Sequence, residues 1–256
     1  MKLVELPEIV KYRHLYDEVE MQPLQVICRL KPNSPVGAYD SINLDNLLAA
    51  AVIIDAYGQN YIPPINDPYV LPIPCLPLWR SEAGLPLFAT TCFEPFGHTE
   101  KDVIYWHKRA QSGRFTNNAG KPLNINTSSG RWMERRVPMP TLVTISLSAS
   151  CIGNPEEIVR LLGHIRFVGK KRGIGFGNVD HWIVRRTKEF RLVDEDRLRR
   201  PVPLAAAEVF EDQYDLPQPD ALVGWALPQW KPSLFLPGWR TGTTFRQAIY
   251  GQGIND

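Results

Sequence analysis

The sequence is poor in the residues that hold metals or staple a fold. It has four cysteines, Cys28, Cys75, Cys92 and Cys151, and no two of them form a Cys-x-x-Cys pair. Each sits among apolar neighbours, which fits buried reduced thiols and argues against a zinc site or a disulfide framework. The acidic residues form no cluster suited to a metal, so two-metal nuclease chemistry is not expected. Long hydrophobic runs are missing too. The longest, residues 47–54, is far too short to cross a bilayer. The stretch Met1-Lys2-Leu3-Val4-Glu5 carries charge through its apolar part and has no small-residue cleavage site, so it does not read as a secretory signal. These absences predict a soluble, cytoplasmic protein with no membrane partner, no metal and no cofactor.

A strong net charge is also lacking, since the total is only +2. The distribution is more informative. Residues 97–136 carry eight Lys/Arg against three Asp/Glu, and residues 164–191 carry eight against two. Residues 192–220 reverse this, with three against eight. Two basic blocks and one acidic block therefore hide in a near-neutral total, and the basic blocks point to an anionic partner. At 256 residues the chain forms one elaborated domain or two small ones, with enough length to bury a core.

The second basic block contains Gly169-Lys170-Lys171-Arg172-Gly173-Ile174-Gly175-Phe176-Gly177. Glycine permits positive φ and close backbone approach. A loop this rich in it loses much chain entropy on folding, so neighbours or a ligand must hold it. Upstream, Asn154-Pro155-Glu156-Glu157 reads as a helix start, followed by Ile158, Leu161, Leu162 and Ile165 at helical spacing. Downstream, residues 179–184 read as a strand. The order is helix, glycine loop, strand. Mononucleotide and dinucleotide loops run strand, loop, helix, so that the helix N-terminus meets the phosphate. That reading is excluded by order. An anion-binding loop and an ordinary glycine-rich turn with a solvated charge run both remain.

Residues 1–22 are charged without a clear period and read as a mobile or partner-docked arm. Residues 24–30 read as the first core strand. Asn43 or Ser41 can cap a following helix in which Leu44, Leu47, Leu48, Ala51, Val52 and Asp55 recur at helical spacing. This strand, loop, helix opening is how a ferredoxin-like domain begins. Residues 57–95 are proline-rich and read as extended connection with edge strands, the best of them residues 85–93. In the first basic block, cations alternate with Tyr105, Trp106, Phe115 and Trp132, around a glycine- and serine-containing tip at residues 117–130. That is the look of an inserted hairpin whose charges track phosphates and whose rings stack on bases. Residues 140–152 read as one long strand with Val143, Ile145, Leu147, Ala149 and Cys151 on one face and Leu142 out of phase. Residues 191–220 are charged, with Asp194-Glu195-Asp196-Arg197 reading as a solvated turn, and the Trp- and Pro-rich tail, residues 222–239, reads as an extended wrap.

The sequence from Val168 through the glycine loop to Val179 resembles the glycine-rich loop of the RAMP superfamily of CRISPR proteins. More of the chain is similar to the Cas-five-type subunit of type IV effector complexes. The matching stretches are residues 44–50, Trp106-His107-Lys108-Arg109, Arg135-Arg136-Val137-Pro138-Met139-Pro140, the loop, and Arg200-Pro201-Val202-Pro203 with the tail. The resemblance covers most of residues 24–240 and implies an α+β, ferredoxin-like (RRM-like) RAMP domain over residues 24–190, with a basic hairpin inserted at about 97–136. It leaves an N-terminal arm at 1–23 and a packed C-terminal extension at 191–256.

It further implies a non-catalytic subunit in antiviral defence that binds CRISPR guide RNA at its 5′ handle and caps a filament of backbone subunits. Its other partners are then the large subunit, the guide-processing endonuclease and, through the complex, target DNA. The candidate RNA contacts are Trp106, His107, Lys108, Arg109, Arg114, Arg131, Arg135, Arg136, Gly169, Lys170, Lys171, Arg172, Gly173, Gly175, Phe176 and Gly177. The competing class is a Cas-six-type endoribonuclease, for which His98 and His107 are the candidate acid or base. His14, His164 and His181 read as structural. A protein-interaction module without RNA leaves both basic blocks unexplained.

Overall fold

The computed structural model describes residues 7–12, 14–37, 42–59, 75–81, 87–108, 116–121, 126–130, 133–210, 213–224 and 235–247. In chain order the elements are α1 (Pro7–Val10), β1 (Gln22–Leu30), β2 (Val36–Gly37), α2 (Leu44–Tyr57), β3 (Glu94–Pro95), β4 (Thr99–Lys108), β5 (Arg135–Thr144), β6 (Ser146–Gly153), α3 (Pro155–Leu162) and β7 (Val179–Arg186). The C-terminal part adds β8 (Val193–Asp194), β9 (Arg197–Leu198), β10 (Val202–Pro203), β11 (Tyr214–Asp215), β12 (Ala221–Gly224), β13 (Phe235–Trp239) and β14 (Arg246–Gln247). The fold is α+β, and its strand pairs are antiparallel.

Period-two patterning sets the central strand. Leu24, Val26, Cys28 and Leu30 of β1 are buried, as expected for one face of a strand. β1 pairs with β6 on one side and β7 on the other, and β3 joins the far edge of β6, giving the order β3–β6–β1–β7. Helix α2 follows β1 and α3 follows β6. Leu44, Leu48 and Val52 of α2 share the core with Ile158, Leu161 and Leu162 of α3. The expected start of α3 is realised. Asn154 Oδ1 accepts the Glu157 N–H at 3.0 Å, with proline in the first turn. Asn43 is the N-cap of α2 by position, but its side-chain oxygen accepts from the Cys92 thiol at 2.7 Å instead of capping. The four cysteines are buried and unpaired, and burial pushes the Cys75 and Cys151 thiols up to about 12.

Three sequence expectations need correction. Residues 140–152 are not one strand. The chain bends at Ile145, leaving the sheet that holds β5 and entering the one that holds β6. Leu30 N–H donates to the Ile145 carbonyl at 3.0 Å, and Ser146 N–H to Thr144 Oγ1 at 3.4 Å. The bend shifts the phase. Leu147, Ala149 and Cys151 are buried, but Val143 and Ile145 are exposed, and the out-of-phase Leu142 is fully buried.

Of the strand expected at 85–93, the described part touches β6 through a single bridge, Thr90 with Cys151. There Ser150 N–H donates to the Thr91 hydroxyl at 2.9 Å, so a side chain interrupts the ladder.

Nor is the N-terminal segment a free arm. Ile9, Tyr12 and Tyr16 join the main core. The Tyr12 hydroxyl donates to Asp55 at 2.7 Å and the Tyr16 hydroxyl to Glu157 at 3.1 Å. Asp55 also receives Arg160 at 2.8 Å and lies 3.0 Å from His164 Nε2. Burial pushes the Asp55 carboxyl up, but the Tyr12, Arg160 and His164 contacts outweigh it and hold it below its ordinary value. His164 is structural as expected, though it sits in the turn past α3 and not in the helix.

The C-terminal extension builds a small core of its own from Val193, Leu198, Val202, Phe210, Trp239 and Phe245. Trp239 packs edge-to-face on Phe245 at 5.3 Å, so this part is more than an extended wrap. The acidic turn is solvated as expected. Glu195 and Asp196 both have positive φ, 46° and 62°, the pattern of the tight hairpin turns that match strand twist. Trp225 and Trp230 lie outside the described residues. Arg200 fastens the extension to the body through a buried pair with Asp45 at 2.8 Å. Among the described residues no helix is long and apolar enough to cross a membrane.

Candidate nucleic-acid interface

The first basic block is a hairpin. β4 and β5 pair from Thr99↔Thr144 to Lys108↔Arg135, so the returning strand runs eight residues past the expected limit at Arg136. Neighbouring residues on a strand point to opposite faces. Tyr105 and His107 therefore share one face with Arg136, and Trp106 shares the other with Arg135 and Val137. On the first face the Arg136 guanidinium lies 3.9 Å from the centre of the Tyr105 ring.

The base of the hairpin is where the two basic blocks meet. β5 pairs with β2. Gly37 of β2 in turn bridges to Lys170, whose N–H donates to the Gly37 carbonyl at 2.9 Å. The glycine loop thus continues the same layer as β4, β5 and β2. The next residue closes the join. Lys171 Nζ sits 3.4 Å from the centre of the Trp106 ring. Such a contact at an exposed site contributes about 0.5–1 kcal/mol. Lys171 has φ 63° and ψ 33°, a left-handed conformation uncommon for a side-chain-bearing residue.

The loop itself is tightly built. It joins α3 to β7, as its flanks predict. Val168 N–H donates to the Gly177 carbonyl at 2.8 Å, and Gly177 N–H to the Pro35 carbonyl at 2.9 Å. Ser34, buried between Pro32-Asn33 and Pro35, donates its hydroxyl to the Gly175 carbonyl at 2.9 Å and accepts the Asn178 N–H at 2.7 Å. Arg172–Ile174 form one 3-10 turn, and Gly175 N–H donates back to Arg172 at 3.0 Å. A glycine-rich anion-binding loop is expected to turn backbone N–H groups toward a phosphate. The N–H groups of Gly175 and Gly177 do not face outward for a phosphate; the loop uses them internally. What it presents to solvent for an anion is its side chains. Lys170 and Arg172 are exposed and Lys171 half-exposed. Among the described residues none of the three pairs with a carboxylate. Gly169 precedes the bridged Lys170, Gly173 is in the exposed turn, and Phe176 is half-buried.

The glycines differ in what they tolerate. Gly177 has φ 61°, and a Cβ there would collide with the Val168 carbonyl oxygen. Gly175 has φ 90° but nothing within 4 Å of the same atom. We expect Gly177→Ala to destabilise the protein by about 3 kcal/mol, combining backbone strain with a clash, and Gly175→Ala by about 1 kcal/mol from strain alone. Urea unfolding of both variants checks this, and equal losses would contradict the loop geometry.

The expected residues are brought together only in part. Trp106 and Lys171 meet at one junction, with Lys170 and Arg172 next to Lys171 in the chain and Arg135 on the Trp106 face of the hairpin. Tyr105, His107 and Arg136 lie on the opposite face. Lys108 ends β4, but its side chain lies outside the described residues, as do Arg109, Arg114 and Arg131. His98 and His107 flank β4 at opposite ends, about 30 Å apart at strand rise, so they cannot act on one bond together. His98 lies beside Glu100 at 3.4 Å. Sequence reasoning missed Gly37 and Ser34. Pro32-Asn33-Ser34-Pro35 looked like a strand breaker, and nothing in it signals the loop it supports. It also missed a polar line on the sheet face away from the helices, where Arg185 Nε donates to Gln25 at 2.8 Å and Gln25 Nε2 to Ser148 at 2.8 Å. No protein-family model matches the chain, and no curated protein matches it.

Proposed function

We propose that this protein is a non-catalytic guide-RNA-binding subunit of the RAMP type, similar to the Cas-five-type subunit of type IV CRISPR complexes. The observation that carries the reading is the Lys171–Trp106 contact. Trp106 and Lys171, more than sixty residues apart in sequence, bring the two basic blocks together in one surface that offers charge and aromatic rings side by side. Cations hold phosphates, and a stacked base adds about 1–3 kcal/mol. The alternation β1, α2, β3, β6, α3, β7 with sheet order β3–β6–β1–β7 supports a ferredoxin-like domain from which β4 and β5 project as the inserted hairpin. In the cytoplasm the subunit holds the 5′ handle and caps the backbone filament. Through the assembly it meets the large subunit, the processing endonuclease and target DNA.

Incubation with a full repeat RNA tests this. We expect a gel shift with the RNA intact, and a His107→Ala protein that also leaves it intact. RNA cut by the wild type and spared by His107→Ala would instead assign a processing endoribonuclease. No shift at all would leave a protein-interaction module.

A further inference from the structure

We propose that Trp106 is a stacking platform for one unpaired RNA base, and that the Lys171 ammonium holds its place in the free protein. The inference rests on the RNA-binding reading and deepens it. Trp106 is 37% exposed on a strand face, and the ammonium lies 3.4 Å from its ring centre, about the spacing at which a base plane stacks. The lysine is easily displaced. Its backbone is fixed by the Ile174 N–H, which donates to the Lys171 carbonyl at 3.1 Å, but its ammonium rests on the ring alone, since no carboxylate among the described residues holds its charge. A stacked base is the stronger contact for the ring. Once moved, the ammonium is one side-chain length from the phosphate of the same nucleotide. Exposed Lys170 and Arg172 beside it hold the neighbouring phosphates. A base-paired strand buries both faces of its bases and cannot use this platform, so the preferred ligand is single-stranded.

The test is a cycle with two probes, a short unstructured RNA and a strand of equal length with its bases removed. Removing the bases should weaken wild-type binding about tenfold more than it weakens Trp106→Ala binding. Trp106→Phe should restore most of that difference, which separates stacking from loss of fold. Lys171→Met should bind both probes more weakly but keep the difference between them. If the intact RNA binds and base removal costs wild type and Trp106→Ala the same, the platform is overturned while the RNA-binding reading stands. If the difference vanishes in Lys171→Met, the lysine and not the ring holds the base, and the proposal is likewise overturned. If the wild type binds neither probe, the RNA-binding reading itself fails.

Discussion

Replacing Arg200 with alanine should destabilise the protein by about 3–5 kcal/mol, the usual cost of removing one partner of a buried ion pair. Arg200 is 3% exposed and Asp45 0% exposed by side chain. The guanidinium donates to Asp45 at 2.8 Å, to the Phe88 carbonyl at 2.7 Å and to the Thr90 hydroxyl at 2.7 Å. Alanine leaves all three acceptors without this donor and a carboxylate in the interior. Asp45 lies in the first turn of α2 and also accepts the Asn46 N–H at 2.9 Å, so the helix end partly offsets its charge.

The Arg200 pair spans three elements: α2, the edge along β6, and the extension that begins at β8. Its loss should loosen the extension as a unit. At this chain length the thermal midpoint should fall by ~10 °C. Removing both charged groups together, in Asp45→Asn/Arg200→Met, should cost less than Arg200→Ala, because the buried carboxylate is removed along with the guanidinium that faced it. Thermal and denaturant unfolding of the three proteins measures this. An Arg200→Ala midpoint within a degree or two of the wild type would show that the pair does not hold the extension. The buried pair with Asp45 makes Arg200 a clamp between the extension and the body.

What could be read from the sequence was what local periodicity controls. α2 and α3 follow their stripes of Leu44, Leu48, Val52 and Ile158, Leu161, Leu162, and β1 follows its alternation. The strand at 140–152 misled because alternation continues through Ile145 while the backbone changes sheets there. A period of two cannot say which sheet a face belongs to. The N-terminal segment has no period because it is held at isolated points, by Ile9 in the core and by Tyr12 and Tyr16 reaching carboxylates far along the chain. The basic hairpin and the cationic loop were each legible from composition. Their meeting was not. It depends on Gly37 pairing with Lys170 and on the left-handed backbone of Lys171, which no local pattern encodes.

The proposed RNA-binding surface carries the second large effect. Lys170, Lys171 and Arg172 together with Trp106 form the junction, and the cations have no carboxylate partners among the described residues. Changing all three to alanine should leave the fold intact, since exposed Lys170 and Arg172 contribute little to stability and the Lys171–Trp106 contact contributes only about 0.5–1 kcal/mol. It should lower RNA affinity by about a hundredfold at moderate salt, because roughly three phosphates no longer meet a cation. The most direct measurement is the RNA dissociation constant of the wild type and the triple variant across a range of salt, with thermal midpoints alongside. The expected result is weaker binding, a midpoint lower by no more than about 4 °C, and a log–log salt slope shallower by about 2, at roughly 0.7 per phosphate on a single strand. Equal affinity and equal slope for the two proteins would contradict it and leave the glycine loop a structural turn.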